Sequence, residues 1–178
     1  MMAPDMNSVT DPPRLAAAFP ETLRLADLLR RSRLHIAVAE SCTGGLLGAA
    51  MTAVPGSSAY VLGGVIAYAD AVKTALLGVD DALIRTHGAV SEAVALAMAT
   101  GVRERLGAEF GLAITGVAGP GSSEGKPAGL TWVAVAGPRA VHTRRLDGDQ
   151  GREVNRAAAV RAALGLADAA VDRFVHGL

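Results

Sequence analysis

The stretch Ala39-Glu40-Ser41-Cys42-Thr43-Gly44-Gly45 lies between a short apolar run, His35 to Val38, and an apolar helix-like run, Leu46 to Val54. A strand that breaks into a helix through small residues leaves the first helical N–H groups without intrahelical acceptors. Together with the helix dipole, those groups favour an anion or a developing oxyanion. Two hydroxyls and one thiol stand in this turn. The segment therefore predicts a phosphate site, or a nucleophile held on a tight turn for acyl transfer. On a purely structural reading, Thr43 is an N-cap, and Gly44 and Gly45 supply backbone freedom.

The rest of the chain alternates apolar strands with helices. Glu21 to Ser32 reads as an amphipathic helix, His35 to Glu40 as a buried strand, and Thr43 to Val54 as a small-residue helix stopped by Pro55-Gly56. Val61 to Tyr68 reads as a strand weakened by Gly63-Gly64, and Asp70 to Leu77 as a short helix closed by Gly78. Ser91 N-caps a long helix with Glu92 in its first turn. Phe110 to Ile114, Leu130 to Ala136 and Val141 to Leu146 read as strands, the last two joined by a hairpin at Gly137-Pro138. Arg152 to Phe174 is a closing Ala-rich helix. This order predicts an α/β fold: a single three-layer α/β/α domain with a mixed β-sheet. The polar, Pro-rich start makes residues 1–19 a flexible leader and 20–178 the domain. Only 3% of residues are aromatic against 51% apolar, so Ala, Val, Leu and Ile must build the core.

Basic and acidic residues balance at 17 each, which gives no broad electrostatic footprint for nucleic acid or an anionic membrane. No run approaches the length of a membrane span, and no signal-peptide pattern opens the chain. Cys42 is the single cysteine, which excludes an intrachain disulfide and fits a reducing, cytoplasmic setting.

Ligands of such folds gather at the carboxyl ends of strands. Three clusters stand there: Glu40 to Gly45, Tyr68 with Lys73, and Thr115-Gly116-Val117-Ala118-Gly119-Pro120-Gly121. A serine nucleophile needs a base. Of the histidines, His87 in the loop before Ser91 is the one retained as a candidate. Lys73 is the other candidate. Only Lys73 and Lys126 among the 17 basic residues are lysines, and a lysine, unlike an arginine, can lose its proton when desolvated. Against these stand a solvated helix position for Lys73 and a simple surface loop for residues 115–127. Lys126, or Arg152 and Arg156 one helical turn apart, offer cations for a phosphate or carboxylate. No His, Cys and carboxylate spacing suggests a metal.

These motifs resemble the CinA C-terminal domain family, the nicotinamide-nucleotide amidases. The resemblance runs through Ala39 to Gly45, Val54-Pro55-Gly56-Ser57-Ser58, and Gly64 through Tyr68 and Lys73 to Leu76-Leu77-Gly78-Val79. It continues with His87-Gly88-Ala89-Val90-Ser91-Glu92, Thr115 to Gly121 and Lys126-Pro127-Ala128-Gly129, over about residues 20 to 175. It implies hydrolysis of the carboxamide of nicotinamide mononucleotide to nicotinic acid mononucleotide and ammonia, a step of pyridine-nucleotide (NAD) salvage. By the same resemblance, Ser41 attacks, Lys73 takes its proton, Tyr68 orients or relays, and Thr115 positions substrate or ammonia. Glu40, Cys42, Thr43, Gly44, Gly45, Gly116, Gly119, Gly121, Lys126, Arg152 and Arg156 become substrate-binding positions, with amides near Thr43 to Gly45 serving the oxyanion. No cofactor or metal and a homo-oligomer are implied. The molybdopterin-type N-terminal domain of some longer relatives is not expected here, and Ala128 replaces a commoner valine. Three alternatives stay open: Cys42 as the attacking atom, the same hydrolytic machinery on a different small amide, and a non-catalytic nucleotide-binding module associated with competence or the DNA-damage response.

Overall fold

The computed structural model describes residues 14–177. In chain order the elements are α1 (Arg14–Ala18), α2 (Glu21–Ser32), β1 (Ile36–Glu40), α3 (Leu46–Thr52), a single 3-10 turn at Ser57–Ala59, β2 (Val61–Ile66), α4 (Asp70–Leu77), α5 (Asp81–His87) and α6 (Glu92–Leu106). They continue with β3 (Phe110–Gly116), β4 (Thr131–Ala136), β5 (Val141–Leu146) and α7 (Arg152–His176). The five strands form one mixed sheet in the order β2-β1-β3-β4-β5. β1 is parallel to both β2 and β3, while β3-β4 and β4-β5 are antiparallel. The chain leaves β1 for β2 on one side and later returns to β3 on the other. The carboxyl ends of β1 and β3 thus flank the point where the strand order reverses, the natural crevice of an open α/β sheet.

The period-two alternation of each strand sorts residues by size. Ile36, Val38, Leu112, Ile114, Val133 and Val135 pack with Leu25 and Leu29 of α2 and Val160 and Leu164 of α7. Their neighbours Ala37, Ala39, Ala113, Ala134 and Ala136 face the other way, onto Val94, Ala95, Met98 and Ala99 of α6. A face of alanines lets α6 approach closely. Gly111 marks the contact: a Cβ there would lie 2.0 Å from the carbonyl oxygen of Ala99.

The structure departs from the sequence reading in several places, with β2 ending at Ile66, before Tyr68, and α3 at Thr52, before Val54. α3 begins at Leu46, not Thr43, because Gly44 (φ 57°) and Gly45 (φ 97°) are left-handed and cannot continue a helix. The cap position falls on Gly45, and the Thr43 hydroxyl has no hydrogen-bond partner among the described residues. β3 runs two residues further than Ile114, since Thr115 and Gly116 keep ladder partners in Trp132 and Thr131. α5 has no counterpart in the sequence reading and takes His87 out of its expected loop to the end of a helix N-capped by Asp80. Residues 1–13 of the expected leader lie outside the described residues. Its last part is structured, with Arg14–Ala18 helical and Phe19 buried in the core.

Gly111→Ala should lower the unfolding free energy by about 1–3 kcal/mol through overpacking. Gly165→Ala, an exposed position of α7 where an added Cβ meets nothing within 4 Å, should raise it by about 0.5–1 kcal/mol. Urea titration of both variants against the parent checks the pair of signs.

Candidate active site

The site is built by the residue that precedes it. Glu40 ends β1 with 1% exposure. Its carboxylate accepts from the amides of Gly45 (3.0 Å), Leu47 (3.0 Å) and Gly48 (2.8 Å). Three N–H groups at the start of α3 are satisfied by one buried charge, which replaces the side-chain cap that Thr43 does not provide. The main chain is pinned on both sides as well. The Glu40 carbonyl accepts from Ala67 (2.7 Å), and the Ser41 amide donates to Ile114 (3.0 Å). Arg156 of α7 closes the turn from outside, donating from Nη2 to the Thr43 carbonyl at 2.7 Å.

Ser41 and Cys42 then form one wall of a cavity of about 240 Å3. Tyr68 comes from the link after β2, Asp70 and Lys73 from α4, Ala89 and Val90 from the residues before α6, and Arg152 from the start of α7. The other side is the stretch Thr115 to Glu124, which leaves β3. Lys73 is 1% exposed. Its Nζ donates to Asp70 Oδ1 at 2.9 Å and to the Tyr68 carbonyl at 3.3 Å. No hydrogen bond joins Lys73 to Ser41. Thr115, fully buried, donates its hydroxyl to the Ala89 carbonyl at 2.8 Å, so toward the cavity its oxygen can only accept. Tyr68 is exposed, and its hydroxyl accepts from Arg152 Nη2 at 3.3 Å. Arg152 Nη1 also donates to the Gly119 carbonyl at 2.7 Å.

Of the residues singled out in the sequence, Ser41, Lys73, Tyr68, Thr115, Cys42, Gly116, Gly119, Gly121 and Arg152 meet on this one cavity. Glu40, Thr43, Gly44, Gly45, Lys126 and Arg156 are not on its wall. Glu40 and Arg156 support the turn from behind. Lys126 donates to the His87 carbonyl at 2.9 Å, fastening its loop to α5. The Gly44 amide donates to the Ser41 carbonyl and the Gly45 amide to Glu40, so neither is free for an oxyanion. The amides of Cys42 and Thr43 donate to no oxygen among the described residues, and of the two only Cys42 lines the cavity. His87 is exposed and does not line the cavity. The described residues hold no group of three or more His, Cys, Asp or Glu side chains placed for a metal ion. No described helix is long and apolar enough to cross a membrane.

Sequence reasoning passes over three residues. Asp70 reads only as a helix start, though its i, i+3 spacing to Lys73 is a signal for an ion pair. Glu124 lines the cavity and accepts from the Ala89 amide at 3.1 Å. Asn155 bridges α7 to the loop, donating to the Ala118 carbonyl (3.0 Å) and to Asp149 (2.8 Å). Nothing local in the sequence marks either contact.

Burial separates the two sulfur and oxygen nucleophiles. Desolvation pushes the Cys42 thiol up from 9.0 to about 11, against weaker opposing effects led by its own amide, with Arg156 and Arg152 contributing. The thiol therefore stays protonated and unreactive at neutral pH.

The fold and this crevice define an α/β domain with a cavity at the carboxyl ends of β1 and β3, where open α/β sheets hold their ligands. Residues 20–171 match the model of the CinA C-terminal domain, and the chain belongs to that family. It is 53% identical over 145 residues to a CinA-like protein of Gloeobacter violaceus, covering 79% of this chain and 34% of that one. With a CinA-like protein of Salinibacter ruber the identity is 51% over 141 residues, again 79% and 34%. The chain thus spans about a third of the length of these curated relatives. Among solved structures it is similar to the competence/damage inducible protein CihA from Agrobacterium tumefaciens (39% identity, TM-score 0.83, 87% of this chain and 95% of that one). It is also similar to a CinA superfamily protein from Klebsiella pneumoniae (34% identity, TM-score 0.84, 88% and 98%).

Two outcomes test the site's construction. Glu40→Gln leaves at least one buried amide of α3 facing an N–H2 group and should destabilise the fold by about 2–3 kcal/mol, read by urea unfolding. The rise of the Cys42 thiol from 9.0 to about 11 cuts its thiolate fraction about a hundredfold near neutral pH. Iodoacetamide at pH 7.5 should alkylate the folded protein at least that much more slowly than the urea-unfolded chain.

Proposed function

We propose that this chain is an amidohydrolase that releases ammonia from the carboxamide of nicotinamide mononucleotide, with Ser41 as nucleophile. The observation that carries the proposal is that Ser41 and the buried Lys73 line one cavity. The choice of substrate rests on the family resemblance.

In this mechanism neutral Lys73 takes the Ser41 proton as Oγ bonds to the carboxamide carbon. The carbonyl π electrons move to oxygen, and the oxyanion meets the amide of Cys42 on the cavity wall. Lys73 returns the proton to the departing nitrogen. The tetrahedral adduct collapses, the C–N bond breaks and ammonia leaves. Water then cleaves the acyl-serine by the same proton traffic, freeing the carboxylate. Thr115, with its hydrogen already given to Ala89, accepts from the substrate N–H2. Arg152 uses two of its five N–H donors on Gly119 and Tyr68, and the rest suit the substrate phosphate. Lys126 and Arg156, already engaged elsewhere, are left out of phosphate binding.

One observation favours a second reading, a nucleotide-binding module without turnover: Lys73 is bonded to Asp70 and Tyr68 rather than to Ser41. Ammonia release separates the two. The parent should turn over nicotinamide mononucleotide without added metal, Ser41→Ala should lose at least about 10^3-fold, and Cys42→Ala should retain activity. Binding without ammonia release by the folded parent establishes the second reading instead.

A further inference from the structure

Lys73 is among the largest fully buried side chains of the protein. An ammonium offers three donors and no acceptor. Two are taken, by Asp70 Oδ1 at 2.9 Å and the Tyr68 carbonyl at 3.3 Å. The third remains for the cavity. These two acceptors fix where the ammonium at the end of the flexible stem sits. Asp70 can hold the amine at little desolvation cost to itself, because its side chain is 46% exposed while that of Lys73 is 2%. The carboxylate keeps its hydration yet touches a buried amine. Cys42 from the turn, Tyr68 from the link after β2, Glu124 from the β3–β4 loop and Arg152 from α7 also face the cavity. α5 and α6, packed against α4, bring no charged side chain to its wall. Among the charged groups, Asp70 is the one bonded to Nζ.

We propose, resting on the amidase reading above, that Asp70 is the positioning residue of Lys73. Its carboxylate fixes the buried amine on the cavity that Ser41 also lines. Asparagine at this position keeps an acceptor oxygen and removes the charge; alanine removes both.

The test compares Asp70→Asn and Asp70→Ala in the full chain by two readouts. In ammonia release from nicotinamide mononucleotide, Asp70→Asn should retain most of kcat, and Asp70→Ala should lose roughly 10- to 100-fold as the amine is misplaced. KM should stay unchanged in both, since Asp70 acts through Lys73. The second readout needs no turnover. Lys73 and Lys126 are the only lysines, so NMR of protein labelled with 15Nζ-lysine gives two side-chain signals, assigned with Lys126→Arg. The Lys73 signal should shift in Asp70→Asn and shift and broaden in Asp70→Ala, with the Lys126 signal unmoved. A Lys73 signal unchanged in Asp70→Ala, or kinetic effects confined to KM, overturns the proposal. If the parent releases no ammonia while the Lys73 signal shifts as expected, the amidase reading falls and the hold of Asp70 on Lys73 stands.

Discussion

Everything at the candidate site depends on one buried carboxylate. Glu40 is taken out of water at the end of a central strand, and a lone charge there would be severely destabilising. Three amides of the following helix compensate it. Satisfying them requires the chain to fold back within five residues, and Gly44 and Gly45 supply the left-handed conformations that allow it. The turn is therefore built around Glu40. Ser41, fixed between that carboxylate and the Ile114 carbonyl, has its place dictated before any ligand arrives. Glu40 thus contributes by shaping the turn, with no contact to the cavity.

The alanine face of the sheet completes the geometry. Because Ala37, Ala39, Ala113 and Ala134 are small, α6 comes down close on the strands, carrying its N-terminal approach, Ala89 and Val90, to the end of β3. There both backbone groups of Ala89 are used. Its carbonyl accepts from Thr115, and its amide donates to Glu124. Asn155 and Arg152 tie the same loop to α7 on the opposite side. A segment rich in glycine is thereby fixed at both walls of the cavity by scaffold groups. The composition and the site are linked: few aromatic residues and many alanines produce the close packing that brings these elements together.

Much of this is legible in the sequence wherever it rests on local chemistry. α2 and α4 fall where amphipathic spacing and a closing Gly78 place them, and Ser91 caps α6 through Val94 as its position suggests. The clusters around Ser41, Lys73 and Thr115 converge because strand ends converge in this topology. What stays hidden is non-local or competitive. Thr43 reads as a cap until Glu40 claims the same amides, a contest that no propensity decides. α5 is a seven-residue helix with a single buried side chain, Ile84, too short for its period to stand out. Asn155 and Glu124 act across 37 and 35 residues of sequence, and the hold of Asp70 on Lys73 matters only because Lys73 is buried.

The environment also bears on which of two adjacent residues suits nucleophilic attack. A thiol reacts as its anion, so burial that raises Cys42 to about 11 works directly against it. A serine hydroxyl is neutral at rest and loses nothing by the same desolvation. It needs a base only at the moment of bond formation. On the amidase reading proposed above, that base is Lys73, a buried amine held by Asp70 and the Tyr68 carbonyl. Burial that works against the Cys42 thiol leaves a neutral hydroxyl unaffected, and on that reading the choice between the two adjacent residues falls to Ser41.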